Sequence, residues 1–142
     1  MVAGPSAWTE PPPSISRVND LTLIQRVFEL GPQVRYVATG RGQNVTLRQR
    51  DGLAGASASE SDRYEELLVN PALLTLARQR GEIDCGGLRY LVVRYGNFHQ
   101  VVVPRPDGGH VSVAVEPDAD PAAVAEQVVG MVHTEHEGGE ET

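Results

Sequence analysis

The residues of this sequence that could do chemistry are one cysteine, four histidines and a group of alternating carboxylates. Cys85 precedes two glycines in a predicted loop, whereas a reactive thiol is favoured at a helix N-terminus or beside a cation. The chain contains no G-x-S-x-G, H-E-x-x-H, C-x-x-C or Walker-type motif. We therefore predict no catalytic residue, and an enzyme that uses Cys85 or His99 is the least favoured alternative.

The histidines form two pairs that could be considered as metal ligands. His133 and His136 are three residues apart, which would place them on one helical turn. They lie where the last helix is expected to fray into Gly138-Gly139, without neighbours to orient them. His99 and His110 fall in adjacent predicted strands and could be cross-strand neighbours, and such a pair is more often a surface or cross-strand contact than a set of metal ligands. The sequence therefore predicts no metal site.

Two further patterns resemble ligand-binding loops but have simpler explanations. Glu116, Asp118 and Asp120 alternate like the first ligands of a calcium loop, but the central glycine and the distant bidentate glutamate are missing. Asp120 is expected instead to cap the helix that Pro121 opens. The pair of glycines in 40–43 joins two predicted strands rather than opening a helix, which favours a turn over a phosphate loop. No cofactor is predicted.

Charge and composition exclude several classes of protein. The 142 residues carry 12 arginines, no lysine and 19 acids, and no basic residue follows Arg105. Such an acidic end repels phosphate backbones, and no segment clusters arginine with aromatic residues, so nucleic-acid binding is not expected. No apolar run approaches the roughly 18 residues of a membrane helix. A single cysteine forms no internal disulfide, which is typical of a cytoplasmic protein.

The pattern of apolar residues predicts one α+β domain over 14–133, between a disordered Pro-rich arm (1–13) and a disordered acidic tail (134–142). The predicted elements are a helix over 14–30, strands over 34–39 and 44–49, a kinked helix or two short helices over 62–80, strands over 88–95, 98–103 and 110–115, and a helix over 121–132. Asn70 is expected to cap the second half of the kinked helix, which Gly81 would close. We expect a five-stranded antiparallel sheet with helices on both faces, in the order α-β-β-α-β-β-β-α.

The last predicted strand alternates strictly between two kinds of side chain. Val111, Val113 and Val115 share one face, whereas His110, Ser112 and Ala114 lie on the other. This alternation predicts a half-buried antiparallel strand.

This order of elements resembles the roadblock/dynein-light-chain family of the profilin-like and longin-like group. The resemblance covers about residues 14–133. It rests on the hairpin over 34–49 and on the phrase Val101-Val102-Val103-Pro104 … Gly109-His110-Val111-Ser112-Val113, which leads to a capped helix. It implies a non-catalytic protein, typically a homodimer that scaffolds complexes or regulates a small GTPase.

A homodimer is also expected from the strand over 88–95. If the hairpin over 34–49 pairs with the last strand, this strand lies at a sheet edge, and it has neither proline nor lysine to block pairing. The candidate interface residues are Leu67, Leu68, Leu73 and Leu74 on the central helix, and Leu88, Tyr90, Val92 and Arg94 on the edge strand. Alternatively, the arm, the tail or a bulge covers this edge and the protein is monomeric.

A second functional hypothesis is a ligand-sensing domain of the PAS or profilin-like type. Such a sensor requires a sizeable cavity with converging polar groups between sheet and helix. The valine-rich strands favour filled packing instead.

Overall fold

The structure is a computed structural model that describes the backbone of residues 13–141 and the side chains of residues 19–134. The helices and strands follow the expected order, and the central helix consists of three consecutive pieces. The elements are α1 (Pro13–Phe28), β1 (Val34–Arg41), β2 (Asn44–Gln49), α2 (Ser59–Tyr64), a π-helical turn (Glu65–Val69), α3 (Asn70–Asp84), β3 (Leu91–Arg94), β4 (His99–Pro104), β5 (His110–Val115) and α4 (Pro121–Glu141).

The five strands form one antiparallel sheet in the order β2-β1-β5-β4-β3. The first hairpin therefore pairs with the last strand, and β3 lies at an edge, as predicted. This edge strand is shorter than expected, because only Leu91–Arg94 pairs with β4. Gly86 and Gly87 precede it with positive φ angles of 82° and 92°, which turn the chain from the end of α3 toward the sheet.

Helices cover both faces of the sheet, as expected. On one face, the fully buried valines of the three central strands pack against α1 and α4 in the main core. That core includes Leu23, Ile24 and Val27 of α1 and Val124, Ala125 and Val128 of α4. The opposite face, with Tyr36 and Ala114, lies under the central helix (59–84).

Two expectations about β5 were wrong. All six of its residues are buried, because β5 is a central strand and its polar face is covered by the central helix. His99 and His110 are not cross-strand neighbours. His99 pairs with Val115 and His110 with Pro104, which places the two histidines at opposite ends of the β4–β5 pair.

The central helix is longer than predicted and is distorted directly before Pro71. Proline has no backbone N–H, so it cannot donate to the carbonyl four residues earlier. In the π-helical turn, the N–H of Asn70 donates instead to the carbonyl of Glu65, five residues earlier. Asn70 therefore lies within the continuous helix and is not an N-cap. Gly81 also lies inside the helix; an added Cβ would be 3.1 Å from the carbonyl carbon of Gly87, where the chain returns.

The first and last helices have other bounds than expected. Helix α1 begins at Pro13, and residues 1–12 of the predicted arm lie outside the described residues. Helix α4 continues to Glu141, so the expected end near residue 132 was too early. No proline follows Pro121, and Gly138 and Gly139 cost about 1 kcal/mol each in a helix without blocking it. The disorder expected for 134–142 in solution stays a prediction.

Candidate functional site

The central helix and the sheet meet at a buried carboxylate. Glu66 is 1% exposed, and its Oε2 accepts hydrogen bonds from Tyr36 Oη at 2.7 Å and Ser112 Oγ at 2.5 Å. Its Oε1 accepts from Asn70 Nδ2 at 3.0 Å and from His110 Nε2 at 2.8 Å. Four donors from β1, β5 and α3 thus converge on one side chain, which satisfies the requirement that a buried carboxylate be hydrogen-bonded.

The pairing of β1 with β5 creates this cluster. Ala38 pairs with Ser112 and Gly40 with His110, so Tyr36, Ser112 and His110 share one face at two-residue spacing. Gly40 makes room for the imidazole, because a Cβ there would lie 2.5 Å from His110 Cε1. Gly40 and His110 were both visible in the sequence, but only the pairing of β1 with β5 shows that they lie opposite each other.

Both tyrosines near the carboxylates are held in the neutral form. Burial first, and then the charge of Glu66, raises the pKa of Tyr36 far above its ordinary value. Burial and the carboxylate of Glu65 raise the pKa of Tyr95 to about 12. Each phenol therefore remains a hydrogen-bond donor to its acidic neighbour at neutral pH.

The cluster has the wrong order of groups for nucleophilic catalysis. In a catalytic triad the histidine lies between the hydroxyl and the acid. Here Glu66 lies between Ser112 and His110, so the serine donates to the carboxylate and not to the histidine. The Sγ of Cys85 is exposed and lies 3.3 Å from Asp84 Oδ1 rather than near a histidine. This arrangement is suited to fastening the helix to the sheet.

Beside the cluster is a cavity of about 290 Å³ between the start of the central helix and the β3–β4 turn. Asp62 and Glu65 line it, and the pKa of each is raised, mainly because the carboxyl is partly removed from water. Hydrogen bonds from Ser57 to Asp62 and from Tyr95 to Glu65 act in the opposite direction. The valine-rich strands favoured filled packing, so sequence analysis did not predict this cavity between the sheet and the central helix.

The predicted interface residues are exposed to different degrees. Leu68 and Val92 are 57% and 39% exposed, and Arg94 is exposed with its guanidinium on the carbonyls of Tyr95 and Gly96. Four of them are half-buried, namely Leu67, Leu73, Leu88 and Tyr90. Tyr90 packs against the main core. Leu74 points inward and is buried.

Three other exposed apolar residues of the central helix were not among the predicted interface residues. They are Tyr64, Leu76 and Ile83, which are 59%, 66% and 75% exposed. With Leu68 they are the four large apolar side chains that the described part of this helix exposes, and we refer to them as the apolar stripe. The spacing of four between Tyr64 and Leu68 and of seven between Leu76 and Ile83 is the signal that could have identified them.

Asp120 caps α4 as predicted, accepting from the backbone N–H groups of Ala122 at 3.0 Å and Ala123 at 3.3 Å. Glu116, four residues before Asp120, forms an ion pair with Arg35 at 3.1 Å.

Over the described part of the chain, no group of three or more metal-binding side chains comes together. Within that same part, the structure contains no helix with the length and apolarity needed to cross a membrane.

No protein-family model matches the sequence, and no curated protein is significantly similar to it. Several solved structures nevertheless share its fold. A roadblock/LC7 domain from Streptomyces avermitilis is 17% identical with a TM-score of 0.62, and the match covers 85% of this chain and 97% of that one. The gliding protein MglB from Thermus thermophilus is 11% identical with a TM-score of 0.58, covering 89% of this chain and 93% of that one.

A third similar structure is MglC from Myxococcus xanthus, which is 16% identical with a TM-score of 0.52 and covers 81% of this chain and 97% of that one. The matches span nearly the whole of each of these proteins and most of this chain. The chain therefore has a roadblock-like fold, as the order of its elements predicted.

Proposed function

We propose that the protein is a non-catalytic interaction module that forms a homodimer through β3 and the apolar stripe of the central helix. The observation that carries this proposal is the free edge of β3 in a chain that also exposes four large apolar side chains on one helix. An unpaired strand edge is a template for another strand, and pairing with its own copy across a two-fold axis gives a closed assembly.

The residues of the two edge strands favour β3 over β2 as the strand that pairs with a second copy. The sequence of β3 is Leu-Val-Val-Arg, whereas β2 reads Asn-Val-Thr-Leu-Arg-Gln. Arg48 of β2 donates to Gln25 of α1 at 2.9 Å and lies over the ring of Phe28. Helix α1 thus already engages the edge at β2, whereas no described strand or helix pairs with the outer edge of β3.

The apolar stripe explains why association would be favourable. Tyr64, Leu68, Leu76 and Ile83 are each more than half exposed. Complete burial of a side chain of this size contributes about 1.5–3 kcal/mol, so two copies of the stripe offer a substantial driving force. A solved MglB structure described as having a tetrameric arrangement supports the view that this fold associates with itself.

The absence of catalysis and the class of partner are parts of the same proposal. Among the described hydrogen bonds, no serine or cysteine is bonded to a histidine, and the buried acid is fully occupied by its four donors. The resemblance to the roadblock family points to a larger complex or a small GTPase as the protein partner. Titration with a purified small GTPase, loaded in turn with GDP and a GTP analogue, tests that assignment by fluorescence anisotropy.

Light scattering on the intact chain and three variants tests the homodimer. We expect a dimeric mass for the intact protein, and monomers for Leu68→Glu and for Val92→Pro. Leu21→Glu is the matched control, because Leu21 is 42% exposed on α1, on the other face of the sheet, and should remain dimeric. A monomeric intact protein contradicts the proposal. Folded variants at 68 and 92 that remain dimeric place the interface elsewhere.

A further inference from the structure

The cavity beside Glu66 has an unusual balance of charge. Asp62, Glu65 and Glu66 line it, and the described residues of its wall include no arginine, lysine or histidine. Glu66 is occupied by its four donors, but Asp62 and Glu65 each have one neutral donor, Ser57 at 2.5 Å and Tyr95 at 3.1 Å. The partly buried acids therefore face a space whose described wall supplies no cation to balance them.

The pKa values of Asp62 and Glu65 show that this arrangement disfavours their ionised forms. Burial raises the pKa of each carboxyl, and the negative charge of Glu66 raises it further. A cation in the cavity would act in the opposite direction and favour the ionised forms. The charge of the ionised acids therefore favours a positive group over an anion.

Aromatic rings form part of the same wall. Tyr95 and Phe98 contact edge to face, with ring centroids 5.6 Å apart and an angle of 68° between the planes. Aromatic faces attract guanidinium and ammonium groups. Phe98 already has a cation–π contact within the protein, because Arg35 Cζ lies 5.7 Å from the centroid of its ring. Arg35 does not line the cavity, and its guanidinium donates to Glu116 and the carbonyl of Ala54.

An unpartnered buried amide provides a second, independent indication of a ligand. Gln100 lines the cavity and is 2% exposed, and its Nε2 has no hydrogen-bond partner among the described residues. It pairs across the sheet with Ala114, which lines the same cavity. A buried donor without a partner is unfavourable, and a ligand oxygen that accepts from it would remove this cost.

We propose that this cavity binds an organic cation whose guanidinium or ammonium group lies between Asp62 and Glu65 and whose oxygen accepts from Gln100. The volume of about 290 Å³ admits a small molecule or a single long side chain. The cation comes either from a free metabolite or from an arginine or lysine of a protein partner. The inference goes beyond the proposed homodimer, since none of the exposed stripe residues lines the cavity.

Two probes that differ only in charge test the proposal on the full chain. The first is 4-guanidinobutyramide, and the second is its neutral analogue 4-ureidobutyramide. In ¹⁵N-resolved NMR titrations, we expect the charged probe to shift the side-chain amide of Gln100 and the backbone of Tyr95 in a saturable way. The neutral analogue should bind at least about tenfold more weakly, a difference of about 1.4 kcal/mol.

Variants locate the binding. Glu65→Gln and Gln100→Leu should each weaken the charged probe about tenfold. The matched control is Glu60→Gln, which removes the same charge from an exposed position of α2 that does not line the cavity, and it should leave binding unchanged.

A capped arginine, N-acetyl-arginine methylamide, distinguishes a free metabolite from a side chain of a protein partner as the source of the cation. Tighter binding than the first probe indicates a partner side chain, and weaker binding indicates a free metabolite.

Three results would overturn the proposal. The charged probe produces no saturable shift, the neutral analogue binds equally well, or Glu60→Gln weakens binding as much as Glu65→Gln does. The comparison of the two probes uses the unaltered chain, so it decides the matter even if a variant does not fold.

Discussion

Glu66 Oε1 lies 2.8 Å from His110 Nε2, although the two residues are 44 positions apart and belong to the central helix and the middle of the sheet. This contact and the hydrogen bonds from Tyr36 and Ser112 fix where the central helix lies on the strands. Because the same helix presents the apolar stripe, the buried carboxylate also determines the geometry of the proposed interface.

Replacing this carboxylate should be among the most damaging single changes in the protein. Glu66→Ala leaves Tyr36, Asn70, Ser112 and His110 without their shared acceptor, and we expect a loss of about 3–5 kcal/mol in the free energy of unfolding. Glu60→Ala, at an exposed position of the same helix, should change it by less than about 0.5 kcal/mol. Urea unfolding followed by circular dichroism measures both values. Similar values for the two variants would show that Glu66 does not fasten the helix.

The space that Gly40 leaves for the imidazole gives a second prediction. Gly40→Ala puts a Cβ 2.5 Å from His110 Cε1, so the ring must move away from Glu66, at a cost of about 1–3 kcal/mol. The same substitution at Gly130 meets open space within α4 and should stabilise the protein by up to about 1 kcal/mol. Thermal melts of the two variants should therefore shift in opposite directions. A Gly40→Ala melt equal to that of the intact protein would contradict the packing of His110.

Neutralising Glu65 should stabilise the protein in a pH-dependent way. Burial raises the pKa of Glu65 above its ordinary value of 4.5. At a pH between the ordinary pKa and the raised pKa of the folded protein, the folded state binds more protons than the unfolded state. The contribution of Glu65 to stability therefore falls as the pH rises through this range. Glu65→Gln should match the intact protein below the ordinary pKa and exceed it at neutral pH.

Urea midpoints measured across this pH range test the prediction, with Glu60→Gln as the control for net charge. A Glu65→Gln advantage that is equally large in acid would show that the gain does not come from the ionised carboxyl. A loss of stability at neutral pH would show that the hydrogen bond from Tyr95 outweighs the burial of Glu65.

Local patterns were sufficient to predict much of this fold. Turn residues and alternating strands gave the element order, and the pairing of the first hairpin with the last strand placed β3 at an edge. Asp120 and Pro121 marked the start of α4 through ordinary capping chemistry. The helix distortion before Pro71 also follows from a local cause, the missing N–H of proline.

The buried cluster and its cavity depend on contacts that no local pattern reveals. His110 and Ser112 alternate with valines and look like a solvated face, but β5 is the middle strand and the central helix covers it. Glu66 belongs to a Glu-Glu pair that is typical of a helix surface, and its sheet partners are 30 to 46 positions away. Only the strand register and the position of the helix bring these groups together.

The central claim is that two copies pair through β3, and intermolecular nuclear Overhauser effects test it most directly. A mixture of isotope-labelled and unlabelled protein reports only contacts between copies. We predict such contacts between the backbones of Leu91–Arg94 in the two copies, accompanied by contacts among the side chains of Leu68 and Leu76. Intermolecular contacts confined to β2, or none at concentrations where light scattering shows a single species, would contradict the account.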